Sequence, residues 1–270
     1  MPVLSTENLK IDYTEDGEGK TVILIHSSVS GNRQWRSLVE TLKDRFHVLA
    51  INLFGYGETM PWPDDSTQTL SEHAKLVFAL CSKMQDSINI VGHSFGGSVA
   101  LKAASFLGHQ VDKLVLLEPN PFYLLKQHNR IDAYQESQEL YDHVKKYGAK
   151  DDWIRVAEKF VDYFVSDGAW KSMSEKRRQA FVASLPLNFY EWDAVMNEET
   201  SINEWKALEA KTLVISALET RRALREIVEI FSAACPHWSF TQVSEGGHMA
   251  PLTHPDQINP VIRQFLEAPT

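Results

Sequence analysis

The sequence predicts an α/β protein: a mostly parallel central sheet flanked by helices and interrupted by an all-helical insertion. Two observations predict it. First, four short runs rich in β-branched and aliphatic residues, at 21–25, 47–53, 88–91 and 113–117, alternate with segments 34–45, 71–83 and 98–107 whose apolar residues fall at helical spacing. Short apolar strands separated by helices imply a parallel sheet covered on both faces. Second, the rhythm changes after the fourth run. From 122 to 205 no strand pattern occurs, and 134–147, 153–165 and 175–185 read as helices. The strand pattern resumes at 211–216 and 239–243, with a helix at 222–233 between them. The expected division is therefore a core of residues 1–121 and 206–270 with an inserted helical cap of residues 122–205. Ahead of the first run, residues 9–13 followed by Glu15-Asp16-Gly17-Glu18-Gly19 read as an antiparallel edge hairpin.

The chain has 270 residues, 43% of them hydrophobic, enough to bury a sizeable core. Its formal net charge of −9 comes without a basic block, which disfavours a nucleic-acid backbone or an anionic membrane surface as partner. No apolar stretch reaches the length of a membrane span, and residues 1–8 show no basic segment followed by an apolar one. A cytoplasmic protein acting on a small molecule is the expectation, with the oligomeric state left open. Cys81 and Cys235 are far apart and fit neither a zinc site nor a disulfide framework, so two buried thiols are expected. No acidic and histidine cluster has metal-ligand spacing, and no cofactor is implied.

The chemistry concentrates in Ile88-Asn89-Ile90-Val91-Gly92-His93-Ser94-Phe95-Gly96-Gly97-Ser98, an apolar run that breaks into Gly-X-Ser-X-Gly and then turns helical. A sharp strand-to-helix turn would lift the Ser94 hydroxyl above the sheet, beside a helix N-terminus. The alternative is an ordinary helix-capping serine. A hydroxyl needs a base to become a nucleophile. His248, in Glu245-Gly246-Gly247-His248 after the last strand-like run, is the candidate, because its glycines permit a sharp loop and imidazole exchanges protons near neutrality. Nine other histidines compete, and His26 and His93 read as loop-holding groups at strand ends.

Four motifs in order resemble the α/β-hydrolase superfamily over essentially the whole chain. They are Leu24-Ile25-His26, Asn52-Leu53-Phe54-Gly55-Tyr56-Gly57, Gly92-His93-Ser94-Phe95-Gly96-Gly97 and Gly246-Gly247-His248-Met249-Ala250-Pro251. The resemblance implies an α/β-hydrolase fold with an eight-stranded sheet or nearly so, a helical lid after the sixth strand, and a triad of nucleophile, acid and histidine. Most members carry the acid as an aspartate after the seventh strand, where this chain has Thr220. Some haloalkane dehalogenases place it after the sixth, where this chain has Glu118, so the resemblance favours Glu118. Glu219, one residue from the usual position, is the alternative, and Glu118 would then pair with a lid arginine.

The resemblance also implies an oxyanion hole made by the backbone N–H groups of Phe95 and Ser28. The usual His-Gly of that loop is His26-Ser27 here, which backbone donation survives if the loop needs no glycine at Ser27. Asn52 stands where the family usually has aspartate. Phe122 and Tyr123 are candidate substrate-pocket residues, being near the proposed site in sequence. Of the cap aromatics, most should be cap core, with two or three facing a pocket. The expected activity is a carboxylesterase-like serine hydrolase acting on an ester-like bond of a small, partly apolar molecule. Hydrolysis of a carbon–carbon bond in a diketone-like metabolite uses the same parts. A ligand-binding protein with a vestigial triad is the alternative of another class.

Overall fold

A computed structural model describes residues 2–6, 9–63, 66–82 and 84–269. The strands are β1 (Val3–Ser5), β2 (Lys10–Asp16), β3 (Lys20–Ile25), β4 (Phe46–Ile51), β5 (Ile88–His93), β6 (Val111–Leu117), β7 (Lys211–Ala217) and β8 (Ser239–Val243). They form one eight-stranded sheet in the order β1-β2-β4-β3-β5-β6-β7-β8, antiparallel at β1 and β2 and parallel from β4 onward.

Alternation within the strands divides the core. Ile23, Ile25, Ile90, Leu114, Leu116 and Val214 point to one face, against α2 (Leu70–Cys81) and α3 (Phe95–Leu107). Val22, Leu24, Val91, Val115, Leu117, Leu213 and Ile215 point to the other, where residues of α1 (Arg36–Leu42) and of the C-terminal helix bury Leu38, Leu42, Ile258 and Ile262. Both faces are covered, so the strands need no polar side. Helix α2 starts at Thr69, whose hydroxyl accepts from the Glu72 amide. The expected end of this helix at Lys83 lies outside the described residues.

Between β6 and β7 the chain is helical: α4 (Tyr123–Gln127), α5 (Ile131–Gly148), α6 (Trp153–Phe164), α7 (Ala169–Ser172), α8 (Glu175–Met196) and α9 (Ile202–Lys206). Helix α6 packs against α5 and α8 through Val156, Phe160 and Phe164. Helix α10 (Arg222–Ala234) then joins β7 to β8, and α11 (Ala250–Thr253) and α12 (Pro255–Glu267) close the chain.

Two local expectations are corrected. The turn after β2 does not close a hairpin, because β4 lies between β2 and β3: Tyr13 pairs with Ile51, and Ile25 pairs with Ile51 from the other side. Gly17, at φ 75°, passes so close over the start of β4 that a Cβ there would lie 2.3 Å from the Phe46 carbonyl oxygen. The turn straddles a strand. Helix α8 runs past the expected end at 185, through Pro186 to Met196. Loss of one amide donor is outweighed by burial of Trp192, Val195 and Met196 beyond it. Pro255 and Pro260 likewise hide α12 from a reading by pattern, although Pro255 sits at a first-turn position that suits proline.

Candidate active site

Ser94 stands between β5 and α3 with φ 55° and ψ −118°, a strained conformation for a residue bearing a side chain. Two contacts hold it: its N–H donates to Leu117 O at 2.9 Å, and its carbonyl accepts from the Gly97 and Ser98 amides. The flanking glycines are required by backbone proximity. A Cβ on Gly92 would lie 2.2 Å from Gly96 O, and one on Gly96 would lie 2.3 Å from Ile25 O. The first turn of α3 thus rests directly on the end of β3.

His248 lies in the short turn Gly247–Met249, reached through Gly246 at φ 87° and Gly247 at φ 53°. Its Nε2 is 2.9 Å from Ser94 Oγ, and its Nδ1 is 2.8 Å from Glu118 Oε2. All three residues are buried. Glu118, at the end of β6 with φ 42°, is fixed twice more. Its Oε1 accepts from the Ala217 amide at 2.9 Å, and its Oε2 accepts from the Thr220 hydroxyl at 2.8 Å. Thr220, after β7, therefore acts as a donor to the carboxylate at the end of the neighbouring β6. Glu219 is exposed, and both ring nitrogens of His248 are already engaged by Ser94 and Glu118. The structure brings Glu118 to the imidazole, not Glu219.

The loop after β3 is held by a dense polar network. His26 accepts from the Leu53 amide through Nε2, so the proton sits on Nδ1, which donates to Ser27 O at 2.7 Å. Burial lowers its pKa to about 4, keeping it neutral. Ser27 takes no left-handed conformation; the positive φ falls on Val29 (56°) and Gly31 (77°) instead. Gln34 Oε1 accepts from the Ser27 amide and hydroxyl, and Gln34 Nε2 donates to His93 Nδ1 at 3.1 Å. His93 Nε2 in turn donates to the His248 carbonyl at 2.9 Å. Burial drives the His93 pKa well below its ordinary value, so this second imidazole is a neutral strut. Asn52 bridges the Asn32 amide and the buried Asp12 carboxylate.

Ser94, Phe95, Ser28 and His248 open on a cavity of about 390 Å³. Its apolar wall is Phe160, Val161, Phe164, Phe181, Trp192 and Met249. Phe164 packs over the His248 ring at a centroid distance of 4.9 Å. Four cap aromatics, Phe160, Phe164, Phe181 and Trp192, thus face the cavity, where two or three were expected. Phe122 and Tyr123 do not. Phe122 is buried behind the cavity, stacked on Trp192 at 5.5 Å, and the Tyr123 hydroxyl bonds Thr200 O and Trp205 Nε1, so both serve packing between core and cap.

Sequence reasoning missed Gln34, Asn188 and Glu191. Asn188, Glu191, Trp192 and Val195 fall at i, i+3, i+4 and i+7 on the buried stripe of α8, and a polar pair on such a stripe is the signal that could have found them. Among the described residues no group of three or more His, Cys, Asp or Glu is placed to hold a metal ion. Cys81 and Cys235 are buried free thiols whose pKa values burial raises to about 12 and about 11.

A serine, an imidazole and a carboxylate in hydrogen-bond succession, on strand ends beneath a helical cover, define the hydrolase class of α/β proteins. The chain belongs to the alpha/beta hydrolase fold family, whose model matches residues 20–255. It is 25% identical over 257 residues to 2-hydroxy-6-oxo-2,4-heptadienoate hydrolase of Pseudomonas putida, covering 85% of this chain and 87% of that one. Among solved structures it resembles a thermophilic esterase from Thermogutta terrifontis (TM-score 0.76, 21% identity, 98% and 96% of the two chains). It also resembles the enol-lactonase from Burkholderia xenovorans (TM-score 0.76, 14% identity, 99% and 100%). No helix among the described residues is long and apolar enough to cross a membrane.

Proposed function

We propose that this protein is a serine hydrolase that cleaves an ester-like bond of a small, partly apolar molecule. The observation carrying this reading is the unbroken succession Ser94 Oγ, His248 Nε2, His248 Nδ1 and Glu118 Oε2, with spacings of 2.9 and 2.8 Å, whose Ser94 and His248 line a largely apolar cavity. Ser94 Oγ attacks the carbonyl carbon as His248 Nε2 takes its proton. The Phe95 and Ser28 amides hold the developing oxyanion. Collapse breaks the bond to the leaving oxygen, which departs with the proton from His248. Water then attacks the acyl-enzyme by the same route and frees the acid. Glu118 keeps the imidazole in the working tautomer and stabilises its cationic form.

The second reading, hydrolysis of a carbon–carbon bond beside a ketone, is supported by the full-length similarity to the Pseudomonas dienoate hydrolase. The two differ in what leaves, an alcohol or a carbon acid. The test uses a fluorophosphonate probe, a series of p-nitrophenyl esters and a 2-hydroxy-6-oxo-dienoate. Labelling lost in Ser94→Ala and in His248→Ala, with ester turnover exceeding dienoate turnover, is expected. Faster dienoate cleavage selects the second reading, and folded protein that neither labels nor turns over any of them removes the hydrolase reading.

A further inference from the structure

Glu191 has no task in the reaction just described, yet it is a carboxylate on the cavity wall. It is buried, 2% exposed, in the C-terminal third of α8, and among the described residues no Lys or Arg is bonded to it. An ionised carboxylate without a cation is costly in such a place, so cohesion alone does not account for it. Its two oxygens reach across to the core. Ser28 Oγ donates to Oε2, and the Tyr56 hydroxyl donates to Oε1 at 3.0 Å. Both donors are themselves oriented from behind: Asn188 Nδ2 donates to Ser28 Oγ at 2.7 Å, and the Val29 amide donates to the Tyr56 oxygen at 2.7 Å.

The turn these bonds grip is strained. Val29 has φ 56°, a conformation that a β-branched side chain opposes, and it follows directly on Ser28. Strain of this kind persists only where the surroundings over-determine it. Here one bond anchors Ser28, another anchors the Val29 amide, and both end on a single carboxylate carried by the helical segment.

We propose that Glu191 is a positioning residue: from α8 it clamps the strained Ser28–Val29 turn and so sets the Ser28 amide against the oxyanion. This rests on the hydrolase reading above, in which that amide is an oxyanion donor. It makes the reactive geometry of the core depend on a residue of the cover. Both donors serve the ionised form. Burial raises the Glu191 pKa to about 7, so the clamp loosens as pH falls through neutrality. The titratable and charged groups around it are Tyr56, the neutral His26 behind Tyr56, and Arg33 and His248 on the same cavity.

The experiment compares wild type, Glu191→Gln and Tyr56→Phe on the best p-nitrophenyl ester, with a trifluoromethyl ketone as mimic of the tetrahedral intermediate. Misplacing a donor by a fraction of an ångström predicts a fall in kcat of about 10- to 100-fold with KM within about two-fold, and an equal loss of ketone affinity. The acid limb of the kcat–pH profile loses one ionisation in Glu191→Gln. The melting temperature at pH 8.5 does not fall, since a buried charge has been removed. Tyr56→Phe, which cuts the relay to Val29, repeats the kcat effect and decides the matter if Glu191→Gln does not fold. Variants that keep kcat within about two-fold in an active background overturn the clamp alone. A wild type inert toward both probe and esters overturns the hydrolase reading, and the clamp with it.

Discussion

The two sides of the cavity are built by different means. On the sheet side, every reactive group hangs from a strand end held in an unusual backbone conformation: Ser94 at φ 55°, Glu118 at φ 42°, and His248 behind Gly246 and Gly247. On the helical side, Phe160, Phe164, Phe181 and Trp192 are ordinary helical residues that cover space, and Glu191 is the exception. Geometry of about an ångström is imposed by the parallel sheet, where hydrogen bonds such as Ser94 N to Leu117 O and Glu118 N to Ile215 O, both 2.9 Å, tie the elbow to its neighbours. On the proposed reading, exclusion of water and choice of substrate fall to side chains that could be exchanged without disturbing a strand.

The sharpest way to break this contrast is at the carboxylate. Glu118→Gln keeps the shape of the side chain, but its amide cannot stabilise an imidazolium and favours the wrong tautomer at His248 Nδ1. A fall in kcat of about 10⁴-fold is expected. Glu219→Gln, on the exposed neighbouring loop, should stay within about two-fold. Steady-state rates on one ester decide it, and the reverse pattern would mean that the loop after β7 rearranges to supply the acid.

The helical side carries its own electrostatic cost, visible in stability. Glu191 has its pKa raised from 4.5 to about 7, so the folded protein binds that proton more tightly than the unfolded chain. Stability is therefore undiminished below pH 4.5 and is lost as pH rises toward and through 7. At about 1.4 kcal/mol per pKa unit, the loss is about 3 kcal/mol. Urea unfolding of wild type and Glu191→Gln at pH 5 and pH 8 isolates it, because the other titrations cancel in the difference. The gap between the two proteins should move by about 3 kcal/mol in favour of Glu191→Gln at the higher pH. A gap that does not move would mean that water reaches the carboxylate.

The same contrast explains what could be read from the chain. The sheet side writes itself into sequence because backbone crowding leaves glycines as a trace. Gly92 is forced by the first turn of α3 against β5, Gly96 by the approach of that turn to β3, and Gly246 by its φ of 87° and a Cβ that would meet Ala250 Cα at 2.8 Å. The choice of Glu118 over Glu219 was legible through the absence of an acid at Thr220 and the resemblance to proteins that place it after the sixth strand, and the Thr220-to-Glu118 hydrogen bond turns that negative signal into a positive one. On the helical side no such trace exists. Phe122 and Tyr123 stood beside the proposed site in sequence, yet a helix turns neighbours to different faces, and these two point into packing. Glu191 was hidden for the same reason: its partners, Ser28 and Tyr56, lie 163 and 135 residues away.

Thr220→Val sharpens the comparison at the next level down. It removes one of the bonds to Glu118 Oε2, the oxygen that faces His248, and leaves the Ala217 amide on Oε1. A hydrogen bond to a charged group is worth about 1.5–3 kcal/mol, and part of it is recovered because Glu118 keeps its other partners. A fall in kcat of roughly ten-fold with KM unchanged is expected, and Thr220→Ser should restore most of it. Failure of Thr220→Ser to restore the rate would show that the methyl group, not the hydroxyl, is what matters there.

The smallest effect belongs to the replaceable wall. The main cavity adjoins a second cleft of about 440 Å³, and the two share Val161, Val165, Phe181 and Met249. A short acyl or alkoxy group fits within the first, whereas a longer chain reaching into the second lies against Phe181, which lines both. Phe181 is only half-buried, so Phe181→Trp fills that space without the strain of an overpacked core. Relative to wild type, kcat/KM for a p-nitrophenyl octanoate should drop several-fold while that for the acetate holds, since one or two methylenes of lost contact correspond to about 1 kcal/mol. Equal change for both esters would place the acyl chain elsewhere on the helical wall and leave the chemistry of the sheet side as it is.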